Sequence, residues 1–206
     1  MNNPEYVKVD DELYKINTDF RVAIECNKIS RNEKIGDYER GLAIAYKLFG
    51  EHGLNCTKMD KLIELGVRYI SLSRDKEKSI NEDSHEPFEL DFEKCQGLIR
   101  SSFKFDYKYD PYQLEYLHWY DFYNDLENLS TSEFGNCCIL NRVIAILNED
   151  VSKIKDNKQR EQIIKVQKEL KERYCVQKEV VMTEAQKESA IEFYRQLGID
   201  LQKGGN

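Results

Sequence analysis

Residues 111–129 read PYQLEYLHWYDFYNDLENL, a stretch that combines helix-start signals with closely spaced aromatic residues. Asp110 is a suitable N-cap, and Pro111 suits the first helical position because its φ is already helical and its missing N–H would have no partner there. Aromatic residues then recur at helical spacing: Tyr112, Tyr116, Trp119, Tyr120 and Tyr123. The pattern predicts one long amphipathic helix over residues 111–129.

The aromatic density between Phe103 and Tyr123 has two plausible uses. Tyr and Trp bury large areas in a core, and they also anchor protein interfaces because a rigid apolar body carries a polar tip. Base stacking by single-stranded nucleic acid is a rival use, but the interleaved acids, such as Asp121 and Asp125, would repel phosphate. Core packing and a protein interface both stay open. The candidate partner-binding residues are Tyr112, Tyr116, Trp119, Tyr120 and Tyr123.

The remaining sequence predicts a mainly α-helical fold with a short N-terminal β-hairpin. Residues 6–16 alternate apolar and polar side chains around an Asp-Asp-Glu turn, which is typical of a hairpin. Apolar residues at helical spacing, with capping signals, extend the pattern to a bundle of about seven helices. The predicted helix starts are Asp19, Asp37, Thr57 or Lys58, Asp91, Asp110, Ser130, a polar start near residue 160, and Thr183.

The chain of 206 residues fits one core with an appendage, because domains typically hold about 100–200 residues. We predict a helical core domain over residues 1–149 and a charged helical C-terminal extension over residues 150–206. Apolar residues become sparse after Ser71, and Pro87 blocks helix continuation, which predicts a mobile loop near residues 75–87. Residues 161–173 are rich in i,i+4 charge pairs. We expect them to form a mostly solvated helix and a secondary interaction surface.

Composition excludes several classes of protein. The net charge of −7 argues against sequence-independent nucleic-acid binding, which depends on clustered Lys and Arg. No window approaches the roughly 18 apolar residues of a membrane helix, and the N-terminus lacks a basic start and an apolar segment. The six cysteines are scattered without a C-x-x-C pair, which is typical of reduced, buried thiols in a cytoplasm.

Catalytic and metal-binding motifs are absent from the sequence. It has no G-x-S-x-G, H-E-x-x-H, phosphate loop or G-x-G-x-x-G pattern. His52 and Cys56 lack the second ligand pair that a tetrahedral metal site needs. Asp121 and Asp125 fit a wet helix face better than an acid/base pair, and His118 fits a hydrogen-bonded position beside the core. We therefore expect no catalytic residue, no metal, no cofactor and no enzymatic activity.

Ordered short segments carry a resemblance to a known family. The matching pieces are YKINTDFR at 14–21, LFG at 48–50, IRSSF at 99–103, LHWYDF at 117–122 and VSKIKD at 151–156, with Asp91, Tyr107, Asp110 and Arg142 between them. Over residues 12–174 the chain resembles a bacteriophage protein family named for the fifteenth gene product, found in long-tailed phages of Gram-positive hosts. Tyr120 replaces a second tryptophan of that pattern, and Tyr109 and Pro111 replace apolar residues.

This resemblance implies a helical, non-enzymatic protein of the tail morphogenesis region, similar in role to tail assembly chaperones. Such chaperones coat the tape measure protein and help to recruit tail tube subunits. The implied partners are the tape measure protein and the tail tube protein of the same phage, in the cytoplasm of the infected or lysogenic host. A homo-oligomer is left open, and no nucleic acid or membrane is expected. The alternative role is a minor structural subunit retained in the phage tail.

Overall fold

A computed structural model describes residues 3–72, 89–130 and 137–177. Its elements confirm the predicted mainly helical fold with an N-terminal hairpin. The two strands are β1 (Tyr6–Val9) and β2 (Glu12–Lys15). The described helices are α1 (Phe20–Ser30), α2 (Asp37–Leu54), α3 (Met59–Ile70), α4 (Gln96–Asp106), α5 (Trp119–Glu127), α6 (Ile139–Leu147) and α7 (Asn157–Tyr174), with 3-10 turns at Pro111–Gln113 and Val151–Lys153.

Three predictions concern residues that are partly or wholly outside this described part. The predicted loop at residues 75–87 and the helix after Thr183 lie outside it. The described residues up to Cys175 form one compact unit. The division into residues 1–149 and 150–206 stays a prediction, because residues 178–206 are not described.

The hairpin packs one face on the helices. Its strands are antiparallel, with Tyr6 opposite Lys15 and Val9 opposite Glu12. Alternation sends Val9 and Tyr14 inward, where both are buried. The Tyr14 ring stacks on His52 at 4.9 Å between centroids and meets Phe49 edge-on at 6.5 Å. These contacts hold the hairpin against α2, so a short sheet that is marginal alone gains support from the helices.

An aromatic stack joins α1, α4 and α5 in the core. The Phe122 ring lies parallel to Phe20 at 4.3 Å and to Phe103 at 5.5 Å between centroids. Trp119 stacks on the same ring at 5.9 Å. All four side chains are buried. A large part of the aromatic-rich sequence therefore builds the core, as one of the two open interpretations predicted.

The predicted helix over residues 111–129 is wrong in its first half. The chain makes one 3-10 turn at Pro111–Gln113 and then continues without helical structure until α5 begins at Trp119. Tertiary pairing explains the break: the amide of Phe20 donates to the carbonyl of Leu117 at 3.0 Å. The amide of Trp119 donates to the carbonyl of Thr18 at 2.8 Å. These backbone bonds outweigh a helical periodicity that extends through the segment.

His118 occupies the start of α5 and confirms the predicted hydrogen-bonded position beside the core. Its Nδ1 accepts a hydrogen bond from the backbone amide of Tyr120 at 3.0 Å, and the side chain is buried. Imidazole here replaces the Ser, Thr, Asp or Asn side chain that usually caps a helix.

Two other helix starts differ from prediction. Helix α4 begins at Gln96 rather than Asp91, because the Asp91 carboxylate accepts from the amides of Glu93 and Lys94 in a preceding turn. Helix α6 begins at Ile139. Ser130 instead donates its hydroxyl to the Asp106 carboxylate at 2.8 Å, and residues 131–136 of the expected capping box are not described.

Helix α7 and the cysteines follow their predictions. Helix α7 has no buried residue along its 18 positions, which confirms a mostly solvated helix.

All six cysteines are free thiols, and five of them are buried. Burial raises the pKa of Cys26 and of Cys95 to about 12, so both thiols stay protonated at neutral pH.

Gly50 produces a kink inside α2. Its φ of 64° and ψ of −159° lie in a region that is essentially restricted to glycine. The break frees the carbonyl of Leu48, which accepts from the amide of Asn17 at 2.7 Å. This hydrogen bond holds the connection between β2 and α1 against the kinked part of α2.

We expect Gly50→Ala to lower the free energy of unfolding by about 1–3 kcal/mol, because alanine is strained at this φ and ψ. Gly97→Ala in α4 is the matched control, since a Cβ at either position meets nothing within 4 Å. Gly97 has no positive φ, so alanine there should stabilise by about 0.5–1 kcal/mol. Urea unfolding of both variants measures the difference. Equal effects would show that backbone strain at Gly50 is unimportant.

Candidate protein-interaction groove

An open groove of about 870 Å³ lies between the hairpin and the middle of α2. One wall is the end of β2 and its connection to α1, over residues 15–18. The other wall is the stretch of α2 over residues 46–50, including the kink. Glu5 and Tyr116 complete the lining. We call this feature the Tyr46–Tyr116 groove, after the two exposed aromatic residues on it.

The base of the Tyr46–Tyr116 groove is apolar and its rim is aromatic. Ile16, Leu48 and Phe49 line it and are buried. Tyr46 is 49% exposed and Tyr116 is 55% exposed. The hydroxyl groups of Tyr116 and Thr18 lie 2.7 Å apart, at hydrogen-bond distance. Tyr116 is thus held in place while its ring stays open to solvent.

Charged side chains stand at the edges of the groove. The ammonium of Lys47 pairs with the Glu25 carboxylate at 2.6 Å, and this hydrogen bond raises the pKa of Lys47. Lys15 and Glu5 have no ion pair within the described ranges. The groove therefore combines an apolar base with a mixed-charge border, the composition that surrounds many protein interfaces.

The five predicted partner-binding residues differ in how far their side chains are buried. Tyr116 lies on the groove, and Trp119 is 1% exposed in the core. Tyr112 packs edge-on against Phe20 at 5.2 Å, and its burial raises its pKa to about 12. The two others are half-buried: Tyr120 lies 5.3 Å from Tyr69, and Tyr123 lies 5.4 Å from Trp119, between ring centroids. Their role in partner binding stays a prediction.

Tyr46 is a groove residue that sequence reasoning missed. The apolar stripe that the sequence predicts for α2 includes Tyr38, Leu42 and Ala45, and Tyr46 falls beside that stripe. The stripe places Tyr38 inward, yet Tyr38 is 56% exposed. A large aromatic residue on the polar side of an amphipathic helix was the available signal for Tyr46.

The buried carboxylate of Asp110 forms ion pairs with the partly exposed Arg100 and Lys104. Its carboxylate accepts from the Nε of Arg100 at 2.8 Å and lies 3.0 Å from the ammonium of Lys104. It also caps the 3-10 turn by accepting from the amide of Tyr112 at 3.1 Å. Burial by itself raises the pKa of Asp110, but the hydrogen bonds from Arg100 and Lys104 outweigh it and hold the pKa below its usual range.

Other polar groups singled out in the sequence have structural partners. Asp125 accepts from the Tyr109 hydroxyl at 2.6 Å, and burial, together with this carboxylate, raises the pKa of Tyr109. His52 contacts the Glu12 carboxylate at 3.1 Å. The described ranges contain no group of three or more His, Cys, Asp or Glu side chains arranged for a metal ion. His85 lies outside those ranges.

No described helix has the length and apolarity to cross a membrane.

Comparisons with known proteins identify a family. No curated protein and no solved structure is significantly similar to the chain. The family profile described as bacteriophage Gp15 protein matches residues 2–171, which covers the hairpin, the groove and most of α7. This family name suggests a phage structural or morphogenesis protein. The match confirms the resemblance carried by the ordered segments of the sequence, and the chain belongs to the bacteriophage Gp15 protein family.

Proposed function

We propose that this protein is a non-enzymatic, chaperone-like factor of phage tail assembly that binds the tape measure protein. In this role it keeps the tape measure protein soluble in the host cytoplasm and assists recruitment of the tail tube protein. The observation that carries the proposal is the Tyr46–Tyr116 groove, an apolar base with two exposed tyrosines, in a member of a phage family.

The groove has the features that a helix-in-groove contact requires. An amphipathic helix places apolar side chains at i, i+3 and i+4 into a hydrophobic groove. Ile16 and Leu48 supply the apolar base, while Tyr46 and Tyr116 supply large side chains of low rotameric freedom.

The charge of the chain supports the same role. A factor that covers an apolar partner must keep the joint complex in solution. The net charge of −7 opposes self-association of coated complexes through mutual repulsion.

We expect Tyr46→Glu to weaken capture of the tape measure protein at least tenfold, since it places a charge at the rim of an apolar contact. Tyr38→Glu is the matched control, because Tyr38 lies on the same helix, is similarly exposed and does not line the groove. Pull-down of co-expressed tape measure protein, with circular dichroism to confirm folding, measures the effect. Equal capture by both variants would exclude the groove as the binding site.

The alternative, a minor structural subunit, predicts a different distribution of the protein. A chaperone leaves before the tail is complete, whereas a structural subunit remains. Mass spectrometry of purified virions distinguishes them: absence from finished tails, with abundance in infected cells, supports the chaperone. Stoichiometric presence in finished tails supports the structural subunit.

A further inference from the structure

Both ring nitrogens of His118 face hydrogen-bonding groups of the backbone. The Nδ1 atom accepts from the amide of Tyr120 at 3.0 Å, and the Nε2 atom lies 3.4 Å from the carbonyl oxygen of Pro4. An imidazole nitrogen accepts a hydrogen bond only when it carries no proton. The two partners therefore assign His118 as the neutral imidazole with its proton on Nε2, from which it donates to Pro4.

The two backbone partners connect His118 to the lining of the Tyr46–Tyr116 groove. Pro4 directly precedes Glu5, which lines the groove and whose carbonyl accepts from the amide of Ile16 at 2.8 Å. On the other side, Tyr116 lies two residues before His118 in the segment that leads into α5. One side chain thus holds the N-terminal segment and the start of α5 together beside the groove.

Aromatic rings lie against the imidazole, which belongs to a residue that is 6% exposed. The ring of Tyr69 on α3 meets it edge-on at 6.4 Å, and the ring of Tyr120 lies 5.6 Å away, between centroids. Burial raises the pKa of Tyr69, so its hydroxyl keeps its proton at neutral pH and brings no negative charge. The Tyr69 hydroxyl therefore does not compensate a positive charge on His118.

Two acidic residues neighbour His118, one through a backbone bridge and one in α5, and both carboxylates have other partners. Asp19, whose backbone bridges to that of His118, accepts from the amide and the guanidinium of Arg21 at 2.9 and 2.8 Å. Asp121, in the first turn of α5, accepts from the side-chain amide of Asn3 at 2.7 Å. No carboxylate of the described ranges forms an ion pair with the imidazole.

Protonation of His118 conflicts with this arrangement at the start of α5. An imidazolium carries a hydrogen on each nitrogen, so its Nδ1–H would point at the N–H of Tyr120 instead of accepting from it. The positive charge would also lie at a helix N-terminus, where the helix dipole favours negative charge. The imidazolium therefore has to leave its capping position, and the contact with Pro4 is lost with it.

We propose that His118 is a pH-dependent switch of the Tyr46–Tyr116 groove: the neutral imidazole holds the residues beside Glu5 and Tyr116 in place, and its protonation releases them. Histidine suits this role because its charge ordinarily changes between about pH 5 and 8. The effect on tape measure binding rests on the proposed function, whereas the switch itself is a property of this chain alone. The groove binds at neutral pH and loses its binding arrangement on acidification.

Trp119 gives a direct readout, because it is the only tryptophan of the chain and the residue next to His118. We expect its fluorescence in the purified full chain to change reversibly between about pH 8 and about pH 5, a range above the titration of ordinary carboxylates. His118→Asn should abolish this transition, since asparagine caps helices but takes up no proton. His52→Asn is the matched control and should retain it, because His52 is exposed and contacts Glu12 instead. A wild-type chain without the transition, or a transition that persists in His118→Asn, would overturn the proposal.

The protonation state of His118 can also be measured without any substitution. Nitrogen-15 NMR of the histidine side chains distinguishes the two neutral tautomers from the imidazolium. At about pH 8 we expect the His118 ring to carry its proton on Nε2 alone, and its conversion to the imidazolium should coincide with the Trp119 transition. A ring that carries its proton on Nδ1 instead would contradict the switch.

Retention of captured tape measure protein links the switch to the groove. We expect the wild type and His52→Asn to retain it about tenfold or more weakly at about pH 5.5 than at about pH 7.5. For His118→Asn the retention at the two pH values should agree within a few-fold. Equal retention by the wild type at both pH values would overturn the control of the groove by His118. Failure to capture tape measure protein at either pH would instead contradict the proposed function, and the Trp119 transition then decides the switch.

Discussion

Replacing Trp119 with alanine is expected to lower the free energy of unfolding by about 3–5 kcal/mol, as deletions of large buried aromatic side chains typically do. Trp119 is 1% exposed and stacks on Phe122 at 5.9 Å. It also meets Phe92 edge-on at 6.2 Å and Tyr123 at 5.4 Å. Removing the indole leaves a cavity at the meeting point of these rings, because a close-packed core relaxes only in part.

Tyr116→Ala is the control for that experiment, since it removes an aromatic residue of the same segment that is 55% exposed. Its loss should cost no more than about 1 kcal/mol, mainly from the hydrogen bond to Thr18. Urea unfolding followed by far-UV circular dichroism measures both variants, since the chain has one tryptophan and Trp119→Ala removes it. Similar stability losses for the two variants would contradict the assignment of Trp119 to the core and of Tyr116 to the surface.

Replacing Asp110 with asparagine is expected to lower the free energy of unfolding by about 3 kcal/mol. Breaking a buried ion pair typically costs about 3–5 kcal/mol. Asp110 has only 1% of its side chain exposed, but Arg100 and Lys104 are 39% and 52% exposed and regain water when the carboxylate is gone. That hydration places the cost at the lower end. Asp121→Asn, at an exposed carboxylate on α5, should change stability by no more than about 0.5 kcal/mol.

The stability that Asp110 provides should depend on pH in one direction. The pKa of its carboxyl is held below the ordinary value of about 3.9, so the unfolded chain takes up the proton first on acidification. The contribution is therefore complete above the ordinary value and is lost as the pH falls through the lowered one. The difference in unfolding free energy between wild type and Asp110→Asn, measured from pH 7 downward, should stay constant and then shrink below about pH 4. A difference that grows on acidification would contradict this account.

Much of the fold could be predicted because its signals are local. Residues 6–16 alternate apolar and polar side chains around turn residues, and this local pattern specifies the hairpin without any distant contact. Helix α7 was predicted because its charge spacing is regular. Residues 114–118 were wrongly assigned to a helix, because their non-helical form depends on backbone hydrogen bonds with Thr18 and Phe20, about 100 positions earlier in the chain. Helical periodicity in one segment carries no information about such a partner.

The candidate site was predictable only in part, for a related reason. Aromatic density identified Tyr116, but density alone does not distinguish it from Trp119, which has the opposite exposure. Tyr116 lies in the non-helical segment before His118 and is exposed, whereas Trp119 is the first residue of α5 and is buried in the core. Tyr46 was missed because the groove exists only when the kink at Gly50 brings the β2–α1 connection against α2. A φ of 64° at one glycine cannot be read from the apolar pattern of α2.

Co-expression with the tape measure protein of the same phage tests the proposed chaperone role most directly. The readout is the fraction of tape measure protein that remains soluble and co-purifies with this chain, with Tyr38→Glu and Tyr46→Glu run in parallel. The proposal predicts soluble tape measure protein with the wild type and with Tyr38→Glu, and precipitation with Tyr46→Glu. Tape measure protein that precipitates equally with and without the wild-type chain would contradict it.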